Sequence, residues 1–130
     1  MIYRTRKIVA PKDLNAIGTL FGGRVLDWLD EEAYIYVSCQ LGSQNVVTKT
    51  IGRIDFVRGA RHGDIIEIGM ETVYVGKTSI TVKATVRDMN TKDVITHIDN
   101  IVFVNIKDGK PHPHGKPVRS RHEKGEQRND

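Results

Sequence analysis

The chain has 130 residues, enough for one hydrophobic core and too few for two, and its 38% hydrophobic content lies above the range that keeps a chain from collapsing. The net charge of +4 is unevenly spread. From Lys107 onward seven basic residues face four acidic ones, +3 of the total, so the body is almost neutral and offers no basic face for nucleic acid. Cys39 is the single cysteine and cannot form an internal disulfide, which fits a reducing cytoplasm.

In chain order, residues Ile2 to Val9 read as a first strand closed by Pro11; the apolar run Ile8-Val9-Ala10 is too short for a signal peptide or membrane span. Asp13 to Phe21 read as a loop with a turn at Gly18. Gly22-Gly23 then leads into a helix that meets no glycine or proline before Gly42, room for about five turns. Val46 to Val57, Asp64 to Val75, Ser79 to Arg87 and Val94 to Ile106 are rich in Val, Ile and Thr and separated by turn residues, so four more strands are expected. Their short connections favour antiparallel neighbours. The expected domain is α+β over residues 1–106, a five-stranded antiparallel sheet wrapped round one long helix. The hydrophilic stretch 107–130 lacks the apolar side chains to offset its ordering entropy and is expected to be an unstructured tail.

On a helical wheel Val25, Leu26, Trp28, Leu29, Ala33, Ile35, Tyr36, Val37 and Cys39 cover more than half of the circumference, predicting a largely enclosed helix. Asp30 falls at the margin of that arc and Glu32 well inside it. An inward carboxylate is paired, neutralised or kept for chemistry, and periodicity does not choose between the two. The first turn of the helix offers unpaired N–H groups, with Gly22 and Gly23 leaving room for a ligand to approach.

The segment from Asp13 through Asn15, Gly18, Phe21-Gly22-Gly23 and Asp30 to Ala33 resembles the signature of hot-dog-fold acyl-CoA thioester hydrolases, and the likeness extends over roughly Arg4 to Ile106. The resemblance implies a hot-dog homo-oligomer that hydrolyses acyl-CoA to a free acid and coenzyme A. Asp30 would be general base or nucleophile, with Asn15 supplied by the partner subunit and the Gly22 and Gly23 amides polarising the thioester carbonyl. The least catalytic unit implied is a homodimer, which trimerises in some forms of the fold. Arg58, Arg61, Lys77, Thr78 and Ser79 are the candidates for holding the coenzyme A arm. Arg24 and Trp28 depart from the usual residues and leave acyl-chain preference open. No cofactor, metal, membrane or nucleic-acid partner is expected; His112 and His114 lack the neighbouring ligands of a metal site. The competing reading is a non-enzymatic acyl-CoA sensor on the same fold.

Overall fold

The computed structural model describes residues 1–120, and its strands follow the alternating segments. Six of them, β1 (Ile2–Ile8), β2 (Val46–Ile51), β3 (Ile54–Phe56), β4 (Ile65–Val75), β5 (Ser79–Asp88) and β6 (Val94–Lys107), form an antiparallel sheet against one long helix, α1 (Gly22–Leu41). The main path runs β1-β4-β5-β6-β2, the five strands expected, leaving β1 and β2 at its ends. The stretch expected as one strand over 46–57 divides at Gly52, where a Cβ would collide with the Asn100 side-chain oxygen. The chain kinks there, and β2 and β3 each pair with β6.

The helix departs from expectation in two ways. It begins at Gly22, with Phe21 as an extended N-cap, so both glycines lie inside its first turn. It is also less enclosed than the wheel suggested. Its buried residues are Val25, Leu29, Ala33, Val37 and Leu41, a single i,i+4 row packed on the sheet. Leu26, Trp28 and Tyr36 flank that row half-buried, whereas Ile35 and Cys39 are exposed. A sheet covering one side of a helix shields about one row and its flanks, and the apolar wheel was wider than that.

The stretch 107–120 is not the unstructured tail expected. Asp108 and Gly109 adopt positive φ and turn the chain back, so that β7 (Lys110–Pro111) pairs with β6 and β8 (Arg119–Ser120) pairs with β4. Between them the His112 amide donates to the Asn105 carbonyl, Asn105 Nδ2 returns a bond to the His112 carbonyl at 2.9 Å, and the His114 amide reaches the Lys77 carbonyl. Main-chain bonds of this kind leave no trace in composition. The remainder of the expected tail, 121–130, lies outside the described residues. No helix among the described residues is long and apolar enough to cross a membrane.

In β5 the inward row Ile80, Val82, Ala84 and Val86 is buried as the alternation predicted. The outward face is not simply wet, because charged side chains lie flat across it. Glu67 is only 2% exposed and receives Arg87 Nε at 2.6 Å, Lys92 Nζ at 3.1 Å and Arg6 Nε at 3.3 Å; the Arg87 guanidinium in turn stacks 3.5 Å from the Tyr3 ring centroid. Burial acts to raise the Glu67 carboxyl, but the hydrogen bonds and charges of Arg87 and Lys92 outweigh it and hold the group below its ordinary 4.5. Its contribution to stability is therefore complete above pH 4.5 and is lost as pH falls through the lower folded value. Glu67→Gln should cost about 2 kcal/mol near pH 7. The gap from wild type in urea melts should narrow steadily below pH 4.5, the ordinary value.

Candidate functional site

The loop before the helix is built around two side chains. Asn15 Oδ1 accepts the Ile17 and Thr19 amides at 3.1 and 3.0 Å, and its Nδ2 donates to Thr19 Oγ1 at 2.9 Å, closing a tight turn with Gly18 at positive φ. Asp13 is buried at 4% exposure. It accepts the Ala10 amide at 2.9 Å, stands 3.1 Å from Arg24 Nε, and its carbonyl takes the Phe21 amide. Asp13 thus clasps the loop to the start of α1, a role the sequence did not assign to it.

This clasp delivers Gly22 and Gly23 with their N–H groups unspent: among the described residues neither amide has a hydrogen-bond acceptor. No acidic side chain occupies the first turn, so the positive end of the helix is not neutralised from within. Beside Gly22 lies a cavity of about 380 Å³ walled by Thr19, Leu20, Val25, Phe56, Ala60 and Thr96. Donors and cavity together suit an oxygen that develops negative charge.

Asp30 stands elsewhere. It is exposed, not inward: the buried row passes through Leu29 and Ala33, and Asp30 lies on the flank of that row facing the edge of β2. Its Oδ1 accepts the Thr48 hydroxyl at 2.7 Å. The pair sits in an open groove of about 640 Å³ between α1 and β2, lined also by Glu31, Tyr34, Ile35, Val46 and Val47. Glu32, the alternative carboxylate, is half-buried and outside that lining. Thr48 had no sequence signal beyond its place in a Val/Thr strand. Within one chain the carboxylate and the free amides are apart: Gly23 to Asp30 spans roughly 10 Å of helical rise.

The other candidates scatter. Arg58 borders the smaller cavity, but its guanidinium is engaged by Asp93 at 2.9 Å and Asp88 at 3.6 Å. Arg61 is exposed nearby, its backbone bridged to Thr19. Lys77, Thr78 and Ser79 form the β4–β5 turn and line neither cavity; the returning tail holds them, with His114 bonding the Lys77 and Ser79 carbonyls. Arg24 and Trp28 do not shape either cavity. They line a third groove with Lys7 and Asp13, where Lys7 lies 5.6 Å from the Trp28 ring centroid. His112 and His114 belong to no cluster of three or more metal-binding side chains among the described residues.

A sequence model described as the thioesterase superfamily matches residues 17–95. An uncharacterized acyl-CoA thioester hydrolase of Buchnera aphidicola is 30% identical over 83 residues, 64% of this chain and 59% of that protein. The chain spans less than two thirds of the length of such curated relatives. Among solved structures, an apo hexameric acyl-CoA thioesterase superposes with a TM-score of 0.78 at 30% identity, covering 96% of this chain and 83% of the other. A Staphylococcus aureus acyl-CoA hydrolase in complex with butyryl coenzyme A, coenzyme A and coenzyme A disulfide gives 0.77 at 30% identity, covering 92% and 69%. That hydrolase has also been solved with one aspartate, one asparagine or one threonine replaced by alanine.

Asn15→Ala removes every side-chain bond that closes the turn. Hydrogen exchange at the Ile17 and Thr19 amides should quicken by roughly tenfold or more, as expected for about 1–2 kcal/mol of lost local bonding, while the core amides of β4 and β5 stay protected.

Proposed function

The chain belongs to the thioesterase superfamily, and from that premise we propose that it hydrolyses acyl-CoA thioesters as a dimer whose sites are shared between subunits. The observation that carries the reading is the separation of the two halves of the chemistry. Asp30 is fixed by Thr48 in a groove between α1 and β2, and the free Gly22 and Gly23 amides lie at the start of the same helix, beside a separate cavity. A second copy laid antiparallel over α1 and β2 would set Asp30 of one subunit against the helix start and Asn15 of the other. The surface such a copy would cover is apolar for its position, with Tyr34, Ile35 and Val47 all exposed in one chain.

In that arrangement the thioester carbonyl oxygen points at the Gly22 and Gly23 amides, which take up the negative charge as the carbon becomes tetrahedral. Asp30 either removes a proton from the attacking water or adds to the carbon itself. Collapse then breaks the carbon–sulfur bond, and the departing thiolate takes a proton to give free coenzyme A. The general-base route leaves the acid directly, whereas the nucleophilic route leaves an acyl–Asp30 anhydride that a water molecule hydrolyses to the acid and the free carboxylate. Thr48 positions the carboxylate. The replaced aspartate and asparagine of the Staphylococcus aureus hydrolase stand at the same separation along their chain as Asn15 and Asp30, with the threonine following at nearly the separation of Thr48; this supports the three assignments together. Of the coenzyme A candidates, Arg61, exposed beside the Gly22 cavity, fits the phosphate role better than Arg58, whose charge is already met. Lys77, Thr78 and Ser79 would hold the pantetheine arm only of a substrate that reaches the β4–β5 turn. Further assembly into a trimer of dimers and a cytoplasmic setting complete the reading.

The test follows free thiol released from a panel of acyl-CoAs. Wild type should release it above background; Asp30→Ala should lose about 100-fold or more in kcat, and Thr48→Val roughly tenfold. Co-refolding Asp30→Ala with Asn15→Ala subunits should restore roughly a quarter of wild-type activity, since half of the dimers then carry one intact site. Binding of acyl-CoA with no thiol release from any chain length would favour the sensor reading.

A further inference from the structure

The cavity beside Gly22 holds a feature that hydrolysis of a plain hydrocarbon acyl group does not use. Thr96, on β6, is fully buried, lines this cavity, and its hydroxyl has no hydrogen-bond partner. A buried hydroxyl without a partner carries a desolvation cost that a polar ligand atom would relieve. Its strand partner is Phe56 of β3, so the two side chains share one face of the sheet. The Phe56 ring roofs the cavity against the helix start: a Cβ on Gly22 would lie 3.1 Å from the ring's Cζ, a closeness only glycine accommodates without displacing it. The ring is 53% exposed and is thus the wall with solvent behind it.

The remaining lining sets the charge. Arg58 is the cation at the rim, and Asp93 and Asp88 already neutralise it. Leu20, Val25, Ala60 and Ile95 contribute only apolar surface. Such a cavity does not reward a carboxylate, and it penalises a purely apolar guest by leaving the Thr96 hydroxyl unpaired.

We propose that this cavity receives the acyl group of the substrate and selects short acyl chains bearing a neutral oxygen, a hydroxyl or keto group, through a hydrogen bond to Thr96 under the Phe56 ring. The inference rests on the hydrolase reading, because it places the thioester carbonyl on the Gly22 and Gly23 amides and the carbon chain in the space beside them. Thr96 is then a specificity-determining residue, and Phe56 the cover that swings out to admit the chain.

The experiment compares kcat/KM for butyryl-, 3-hydroxybutyryl-, acetoacetyl-, 4-hydroxybutyryl- and succinyl-CoA in wild type, Thr96→Val and Thr96→Ser. At least one of the neutral oxygenated substrates should exceed butyryl-CoA by about tenfold, as for a site whose buried polar group is otherwise unpaired, and succinyl-CoA should not. The preference should fall to near parity in Thr96→Val and persist in Thr96→Ser, which keeps the hydroxyl. Parity in wild type, a preference for succinyl-CoA, or a preference unchanged in Thr96→Val overturns the proposal. If no thiol is released from any substrate, the hydrolase reading fails by itself, and selectivity is read from equilibrium binding of the hydrolysis-resistant thioethers S-(3-hydroxybutyl)-CoA, S-(3-oxobutyl)-CoA and S-(4-hydroxybutyl)-CoA against S-butyl-CoA. A preference there that Thr96→Val abolishes supports the cavity's role, and equal binding overturns it.

Discussion

The row Val25, Leu29, Ala33, Val37 and Leu41 packing on one face of the sheet is the contact from which the other features follow. Five side chains at i,i+4 spacing fix the rotation of α1 about its axis and so decide which of its residues face outward. Asp30, one position after Leu29, is carried outward with Tyr34 and Ile35, and Thr48 meets it from β2. Moving the row by one residue would drive the carboxylate against Ile and Val side chains of the sheet, at a cost no single hydrogen bond offsets.

Charge is used sparingly and in two different ways. Asp13, buried at the foot of the loop, joins backbone and the Arg24 guanidinium, and so determines where the helix begins. Glu67, equally buried on the far side of the sheet, draws Arg6, Arg87 and Lys92 down across that face. Neither carboxylate faces a cavity proposed to act on substrate. The groups proposed for chemistry are the ones with capacity to spare: the free amides of Gly22 and Gly23, and Asp30, which a single hydroxyl holds.

Element type and order were legible in the sequence because alternation in residues 79–87 and helical spacing in 25–41 each have one structural solution. The helix boundary at Gly22 was missed by two residues, since glycine is read as a breaker although a first turn tolerates it. Burial of α1 was overestimated because the wheel counts every apolar residue, and Ile35 and Cys39 are apolar without facing the sheet. Gly22, Gly23 and Asp30 drew notice from the helix start and its spacing, with Glu32 left open beside Asp30; the family resemblance alone brought in Asn15 and preferred Asp30. Thr48 and Thr96 were legible by no route, as a threonine in a β-strand is the commonest of choices. The β7 and β8 pairings were hidden for a different reason: they are made by backbone, in a segment whose composition argues for none.

The two ends of the sheet are unlike each other. At one end β1 sets Arg4, Arg6 and Lys7 between the exposed Ile2 and Ile8, charges that discourage another strand from docking there. At the other, β2 shows Val47 and Ile51 to solvent with only Lys49 to interrupt them, and its outer edge has no strand partner among the described residues. A lone subunit would therefore carry a sticky edge of the kind that seeds fibrils and clumps. In the proposed dimer, pairing with a second copy through that edge would do more than complete an active site: it would cap the hazard, and newly made chains would be vulnerable to aggregation until each met its twin.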